Sequence, residues 1–395
     1  MTENKSLLKT LLEILIVSTR LGLTSFGGPI AHLGYFHEEY VRKRKWMDEK
    51  SYADLVALCQ FLPGPASSQV GIGIGVMRGG VLGGIVSFIG FTFPSVIALI
   101  VFALILQGLN VSDLSWIHGL KLVAVAVVAH AILGMAEKLT PDLKRKTIAL
   151  LALIGTLLWQ TAFSQVGVIL LAGLLGFLLY RDQTDNDETK YEFPISKKFA
   201  VICLSLFFAL LLLLPILRDV TSNSWIAIFD SFYRSGSLVF GGGHVVLPLL
   251  EREFVPSGWI SEEAFLAGYG AAQAVPGPLF TFAAYIGAVM NGWQGGLLAT
   301  VAIFLPAFLL ILGALPFWNM LRQNAKIKGA LMGVNAAVVG ILISAFYQPI
   351  WTTTILKPID FAFAAVLFSM LVYWKLPPWV IVITGAIGGL LMSFL

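Results

Sequence analysis

Two arginines lie inside apolar segments, where a charge is costly. Arg20 and Arg234 each stand six residues before a Phe-Gly-Gly triplet. A charged side chain at the centre of a bilayer costs about 2.5–3.5 kcal/mol on insertion scales, so it is a functional candidate by default. A guanidinium matches a tetrahedral oxyanion through paired hydrogen bonds. The alternatives are a side chain that reaches an interface and a structural ion pair.

The triplet Pro-Gly-Pro occurs twice, in "FLPGPASSQ" at 61–69 and in "AVPGPLFTF" at 274–282. Proline ends a helix, and a proline at the first position of the next helix leaves the following amides free to face an anion. The first copy adds hydroxyl donors, whereas the second is more apolar; a plain kink is the alternative. The predicted ligands in these turns are Pro63, Gly64, Pro65, Ser67, Ser68, Pro276, Gly277, Pro278 and Thr281.

The Phe-Gly-Gly triplets predict a second break in each half. Paired glycines let backbones approach closely or bind an anion through their amides. Close helix packing by small residues is the alternative. The predicted ligands here are Ser25, Gly27, Gly28, Gly241 and Gly242.

Coupling to protons would need titratable groups. Histidine changes charge near neutral pH. The candidates are His32, His244, Glu39 and Glu253, although the two glutamates could simply line exposed loops.

The composition is that of a helical membrane protein. The chain is 57% hydrophobic and 12% charged, against about 25% charged residues in an average soluble domain. Apolar runs near 20 residues favour spanning helices over a β-barrel. The net charge of +4 is too small to indicate a nucleic-acid partner. No motif for nucleotide, metal or hydrolytic chemistry occurs, so we expect no enzyme, cofactor or metal, and we expect transport driven by ion gradients.

An internal repeat organises these motifs. "RLGLTSFGGP" at 20–29 matches "RSGSLVFGGG" at 234–243, and after the loss of one residue the two Pro-Gly-Pro triplets also match. We predict a first membrane repeat over 1–180, a polar cytoplasmic linker over 181–198, and a second repeat over 199–395 with an extra leading helix. We refer to the two repeats as the first copy and the second copy.

The extra helix predicts that the second copy is inverted in the membrane. Basic residues mark the cytoplasmic side. They cluster at 42–50 in the first copy, whereas acidic residues surround Arg252 in the second. We favour a topology in which the broken elements re-enter the membrane. The alternative lets them cross fully, which is also inverted but places 42–50 outside. Inverted repeats with broken helices are a transporter design, with the substrate near the midplane.

The segment "TSFGGPIAHLGYFHEEYVRKRKWMDEKSYADLVALCQFLPGPASSQVGIGIG" resembles the chromate ion transporter family, in its long two-repeat form. "FGGGHVVLPLLEREFVPSGWISEEAFLAGYGAAQAVPGP" is similar to the second half of that family. The resemblance implies chromate efflux driven by the membrane gradient, and chromate resistance.

The predicted fold is an all-α polytopic membrane protein with two inverted repeats, broken at Phe-Gly-Gly and Pro-Gly-Pro. The predicted function is export of chromate across the cell membrane by a secondary-active transporter. The alternative is import or exchange of sulfate or another small anion. The predicted partners are the oxyanion, protons and the lipid bilayer, and a homodimer stays open.

Overall fold

The computed structural model describes residues 7–26, 28–107, 116–159, 162–180, 195–221, 223–239, 246–318 and 325–392. Within these ranges the chain forms helices and no strands, which confirms the prediction of an all-α membrane protein. The helices are α1 (Leu7–Thr24), α2 (Gly28–Phe36), α3 (Glu49–Phe61), α4 (Ala66–Gln107), α5 (Trp116–Leu139), α6 (Leu143–Leu158), α7 (Ala162–Leu179), α8 (Lys197–Thr221), α9 (Ser224–Ser237), α10 (Val246–Phe254), α11 (Glu262–Ala274), α12 (Phe282–Ala314), α13 (Ala325–Ala345), α14 (Pro358–Val372) and α15 (Pro378–Met392). A π-helical segment, His37–Lys43, continues α2.

Five of the described helical stretches are long and apolar enough to cross a membrane. They are Ala66–Gln107, His118–Leu139, Lys197–Thr221, Leu279–Phe317 and Lys326–Thr354. Shorter apolar helices at 167–179, 358–372 and 379–392 accompany them. This pattern agrees with the multi-pass topology that the composition predicts.

The longest helices, α4 and α12, are each bent back at matching positions. Gly80 has φ 63° and Gly292 has φ 61°, and the residue before each is also non-helical. In both hairpins the two arms touch through glycine. A Cβ on Gly75 would lie 2.3 Å from the carbonyl oxygen of Gly83, and a Cβ on Gly287 would lie 2.3 Å from that of Gly295. The sequence places an element boundary at each of these bends, and the structure agrees.

The chain folds into two compact units, and each unit contains segments from both copies. Unit 1 comprises 1–101, 187–243 and 276–321. In it α1 packs against α4 and α9 packs against α12, again through glycine: a Cβ on Gly22 would lie 2.6 Å from the Phe91 carbonyl oxygen, and one on Gly236 would lie 2.2 Å from that of Ile303. Phe88 of α4 meets the Phe304 and Phe308 rings of α12 edge-on. Unit 1 therefore holds the same helix pairing twice.

Unit 2 comprises 102–186, 244–275 and 322–395. Here α13 packs against α6 and α7, and α5 packs against α11, α14 and α15. The contacts between α7 and α13 and between α5 and α15 are glycine to glycine, at Gly176 with Gly329 and at Gly119 with Gly385. His118 on α5 bonds Asp360 at the start of α14, with 2.8 Å between Nε2 and Oδ1. The predicted linker over 181–198 lies largely outside the described residues.

Candidate anion site

The two Pro-Gly-Pro triplets form turns of the same geometry. α3 ends at Phe61 and α4 begins at Ala66, and α11 ends at Ala274 before a short 3₁₀ turn begins at Leu279. Gly64 has φ +114° and Gly277 has φ +106°. Residues other than glycine rarely adopt such a positive backbone φ. A Cβ would also lie 3.2 Å from the Ala307 Cβ at the first turn and 2.8 Å from the Ser95 Oγ at the second. Both turns therefore need glycine.

Each Pro-Gly-Pro turn is bonded to the other copy. The Gly64 N–H donates to the Val239 carbonyl at 2.7 Å, and the Gly277 N–H donates to the Ser25 carbonyl at 2.9 Å. Ser25 and Val239 are equivalent residues of the two copies, each directly before Phe-Gly-Gly. These crossed hydrogen bonds bring the Pro-Gly-Pro turn of each copy to the start of the Phe-Gly-Gly break in the other copy, within unit 1.

The first copy surrounds its turn with buried polar side chains. Ser25 and Gln69 are 0% exposed, and His32, Ser67 and Ser68 are at most 2% exposed. His32 Nδ1 lies 3.3 Å from Ser67 Oγ, and the His32 ring meets Phe91 edge-on. Gln69 donates from Nε2 to the Pro63 carbonyl at 2.9 Å, so its amide braces the turn.

Several of these buried groups have no hydrogen-bond partner among the described residues. They include Ser25 Oγ, His32 Nε2, Ser68 Oγ, Gln69 Oε1 and Thr92 Oγ1. A buried polar group that lacks its hydrogen bond costs about 1–3 kcal/mol. Such a cluster is expected where a ligand supplies the missing partners. The hydroxyls of Ser25, Ser68 and Thr92 can donate to a ligand that accepts hydrogen bonds. His32 Nε2 donates or accepts according to the tautomer of the ring, and Gln69 Oε1 only accepts.

The position of the cluster also favours an anion. Ser67 and Ser68 lie in the first turn of α4, whose first intrahelical bond runs from the Gln69 N–H to the Pro65 carbonyl at 3.0 Å. The preceding amides are therefore free of intrahelical partners, and the helix end carries roughly half a positive charge. Burial lowers the pKa of His32, on α2 outside the candidate spans, to about 4, against the opposing effect of a backbone hydrogen bond with Ser25. The imidazole of His32 is therefore uncharged at neutral pH, as are the hydroxyls around it.

The second copy is apolar at the matching positions. Val239 and Val246 replace Ser25 and His32, and Phe280 replaces Ser67. The remaining hydroxyl, on Thr281, donates to the Pro278 carbonyl at 2.7 Å and is not free for a ligand. Two predicted ligands, Gly241 and Gly242, lie outside the described residues, as do Gly27 of the first copy and the proton candidate His244.

The two arginines lie in different surroundings. Arg20, in the last turns of α1, is exposed. Arg234 on α9 pairs with Asp230, whose side chain is 0% exposed, at 3.0 Å between Nη2 and Oδ2. Arg218 of α8 approaches the same carboxylate at 3.5 Å. The Asp230 pair was missed at the level of sequence, although an aspartate four residues before an arginine on a helix predicts it.

The proton candidate Glu39 is buried and paired. Arg44 Nε donates to Glu39 Oε1 at 2.8 Å, and Arg44 also reaches Glu13 at 3.3 Å. Beside this network lies a cavity of 310 Å³ lined by Lys9, Leu12, Glu13, Ile16, Val17 and Arg44. None of the buried hydroxyls of the first turn lines this cavity. Glu253, its equivalent on α10, is half-buried. An unpartnered neighbour, Glu251, was not predicted to be functional.

These features define a class of protein: a multi-pass helical membrane protein built from two copies of one repeat. The family model for chromate transporters matches the chain at residues 12–177 and again at 225–390. The protein therefore belongs to the chromate transporter family, as its sequence resemblance predicts.

Three relatives show how widely the similarity extends. An uncharacterized transporter of Methanocaldococcus jannaschii is 27% identical over 84% of this chain and 83% of its own length. A probable chromate transport protein of Synechococcus elongatus is 30% identical over 82% of this chain and 81% of its own. A chromate transport protein of Pseudomonas aeruginosa is 28% identical over 82% and 77%. No solved structure matches this chain.

Proposed function

We propose that this protein is a secondary-active transporter that exports chromate across the cell membrane. The observation that carries the proposal is the pair of buried hydroxyls in the first copy, Ser25 Oγ and Ser68 Oγ, which have no partner among the described residues, together with the equally unpartnered His32 Nε2. Its membership of the chromate transporter family supports chromate as the anion. The names of two relatives, which describe chromate transport, point the same way.

The chemistry of the site suits a tetrahedral oxyanion. Its four oxygens accept hydrogen bonds in several directions, which matches hydroxyls, an imidazole N–H and the amides at the start of α4. These donors are neutral, and a divalent anion in a buried site needs further compensation of its charge. Arg20 is the predicted cation that would supply it. An anion in contact with His32 would also raise the pKa of that histidine, because an opposite charge favours the protonated form.

The site is tested by removing one hydroxyl at a time. Ser25→Ala and Ser68→Ala each remove a donor without altering the turn. A hydrogen bond to a charged group contributes about 1.5–3 kcal/mol, so each variant should raise the half-saturating chromate concentration roughly tenfold or more. The measurement is chromate uptake into everted membrane vesicles, with sulfate as competitor.

The matched control is Thr300→Val. Thr300 is buried in unit 1, and its hydroxyl is already bonded to the Gly296 carbonyl at 2.8 Å. This variant should leave the half-saturating concentration unchanged. Unaltered uptake in both serine variants would remove the first copy from the site. Uptake of sulfate in place of chromate would favour the alternative substrate.

A further inference from the structure

Glu251 on α10 is a buried carboxylate without a partner. The residue is 3% exposed. Neither Oε1 nor Oε2 accepts a hydrogen bond from the residues that the structure describes. Arg252 Nη1 and Glu262 Oε1 are also buried and unbonded. An ionised carboxylate in such surroundings lacks both water and hydrogen-bond donors, so its protonated form is favoured.

Among the residues that the structure describes, two charged side chains act on Glu251. Glu262, the first residue of α11, opposes ionisation of Glu251, and Arg252, on the same helix as Glu251, favours it. α7, which packs against α10, carries no charged residue between Ala162 and Leu179. Burial, reinforced by Glu262, raises the pKa of Glu251 to about 8 despite Arg252. α10 lies outside the candidate membrane spans.

The repeat shows what this position does in the other copy. Glu251 is equivalent to His37, and Glu262 is equivalent to Glu49. In the first copy the His37 ring is bonded to the Glu49 carboxylate through Nε2 and Oε2. That pair joins a cation or neutral donor to an anion. In the second copy the same two positions both carry carboxyl groups.

Two interacting carboxyl groups share protons instead of ionising together. The helix end decides where the proton goes. Glu262 lies in the first turn of α11, behind the N-cap residue Ser261, whose Oγ accepts from the Ala264 N–H at 3.2 Å. A helix N-terminus stabilises a negative charge, and Glu251, in the interior of α10, has no such helix end beside its carboxyl group, so the proton is held on Glu251.

We propose that Glu251, together with Glu262, is the proton-binding site through which this transporter senses the pH gradient. The pair binds one proton on Glu251 and changes from a charge of −2 to −1, and loss of the proton restores −2. The proposal rests on the proposed function, because it assigns the coupling step of the same transport cycle. It also separates the proton from the anion: the hydroxyl-lined turn of the first copy takes the oxyanion, and the second copy takes the proton.

The test uses the full-length protein in proteoliposomes, with two assays of chromate movement. One measures uptake driven by an imposed pH gradient, and the other measures exchange of labelled for unlabelled chromate at equal pH. Glu251→Gln keeps the shape but cannot bind or release a proton. It should abolish the stimulation by the pH gradient and retain exchange. The exposed neighbour Glu263 supplies the matched control, and Glu263→Gln should behave as the wild type.

A spectroscopic titration tests the site without any transport. Infrared difference spectra of the purified wild type between pH 6 and pH 10 should show a protonated carboxyl that disappears as pH rises, and Glu251→Gln should lack it. Glu262→Gln should shift this titration to lower pH, because the neighbouring charge that opposes ionisation is gone. A wild type without chromate exchange would contradict the proposed function. Normal exchange with an undiminished pH response in Glu251→Gln, or an unchanged carboxyl titration, would overturn the proton site alone.

Discussion

At the scale of single residues, the chain separates buried groups with partners from buried groups without them. Asp230 has two arginines, and Glu39 has Arg44. The hydroxyls of Ser25 and Ser68 have no partner among the described residues. A charge in an apolar segment is thus a weak guide to the binding site when its counter-ion lies one helical turn away. The unpartnered neutral donors are the stronger guide.

Arg234 has two candidate roles, a ligand of the anion, as the sequence predicts, and an ion-pair partner of Asp230. If its main role is the pair with Asp230, Arg234→Ala should lower the thermal stability of the purified protein, because it leaves a buried carboxylate short of a partner. The loss should be smaller than the about 3–5 kcal/mol that an orphaned buried charge typically costs, since Arg218 remains. Thermal unfolding in detergent measures this.

The control is the double variant Asp230→Asn with Arg234→Ala. It removes both charges and should recover most of the lost stability while transport also recovers. A double variant that is stable but does not transport chromate would instead assign Arg234 to the anion. Arg20→Ala is the companion test, because Arg20 is exposed: it should reduce chromate uptake without changing the unfolding temperature.

At the scale of elements, the two turns and the bends of α4 and α12 are built from glycine for different reasons. Gly64 and Gly277 combine a positive φ with close neighbours. Gly80 has φ 63° with open space around its Cα, so only the backbone conformation is at stake there. The amides of Gly64 and Gly277 also donate the crossed hydrogen bonds, so a shift of either turn would break a bond to the other copy.

Alanine at these glycines should therefore have graded effects. Gly80→Ala should cost about 1–2 kcal/mol, the usual penalty for a left-handed non-glycine residue. Gly64→Ala and Gly277→Ala should each cost more, because the close neighbours of the added Cβ, at 3.2 Å and 2.8 Å, add to the backbone strain. Both should also reduce chromate uptake in the fraction that stays folded. Unfolding curves in detergent give the stability order, and equal losses at all three positions would contradict the role of the close neighbours.

The sequence predicts the elements better than the contacts between them. Hydrophobic runs and the repeat place the turns at Pro63–Pro65 and Pro276–Pro278 because proline and glycine act locally on the backbone. The crossed bonds to Ser25 and Val239 cannot be predicted in this way, because they join residues far apart in the chain. Ser25 and Ser68 were predicted as ligands from their place beside a break. Glu251 was missed because its significance depends on burial and on the loss of the histidine that the first copy has at that position.

At the scale of the whole molecule, the two copies share one backbone arrangement but differ in their polar side chains. The helix pairs, bends and turns recur in both copies, whereas the polar side chains at the first turn are replaced by valine and phenylalanine in the second. The carboxyl pair of the second copy has a histidine at one position in the first. Duplication followed by specialisation of each copy accounts for this: the backbone is kept, and the chemistry diverges.

The predicted inversion of the two copies makes a prediction about sidedness. The segment around Arg42 should face the cytoplasm and the equivalent segment around Ser257 should face outside, because basic residues stay on the cytoplasmic side. Both side chains are exposed, so cysteine can replace either one. The two native cysteines, Cys59 and Cys203, are buried and are first changed to alanine to provide a silent background.

A membrane-impermeant maleimide applied to intact cells should then label Ser257→Cys and not Arg42→Cys. Permeabilised cells should show labelling of both. Labelling of Arg42→Cys alone in intact cells would keep the inversion but support the alternative topology, in which the broken elements cross fully. Labelling of both variants in intact cells would mean that the copies are parallel. In that case no two-sided arrangement would follow from the repeat.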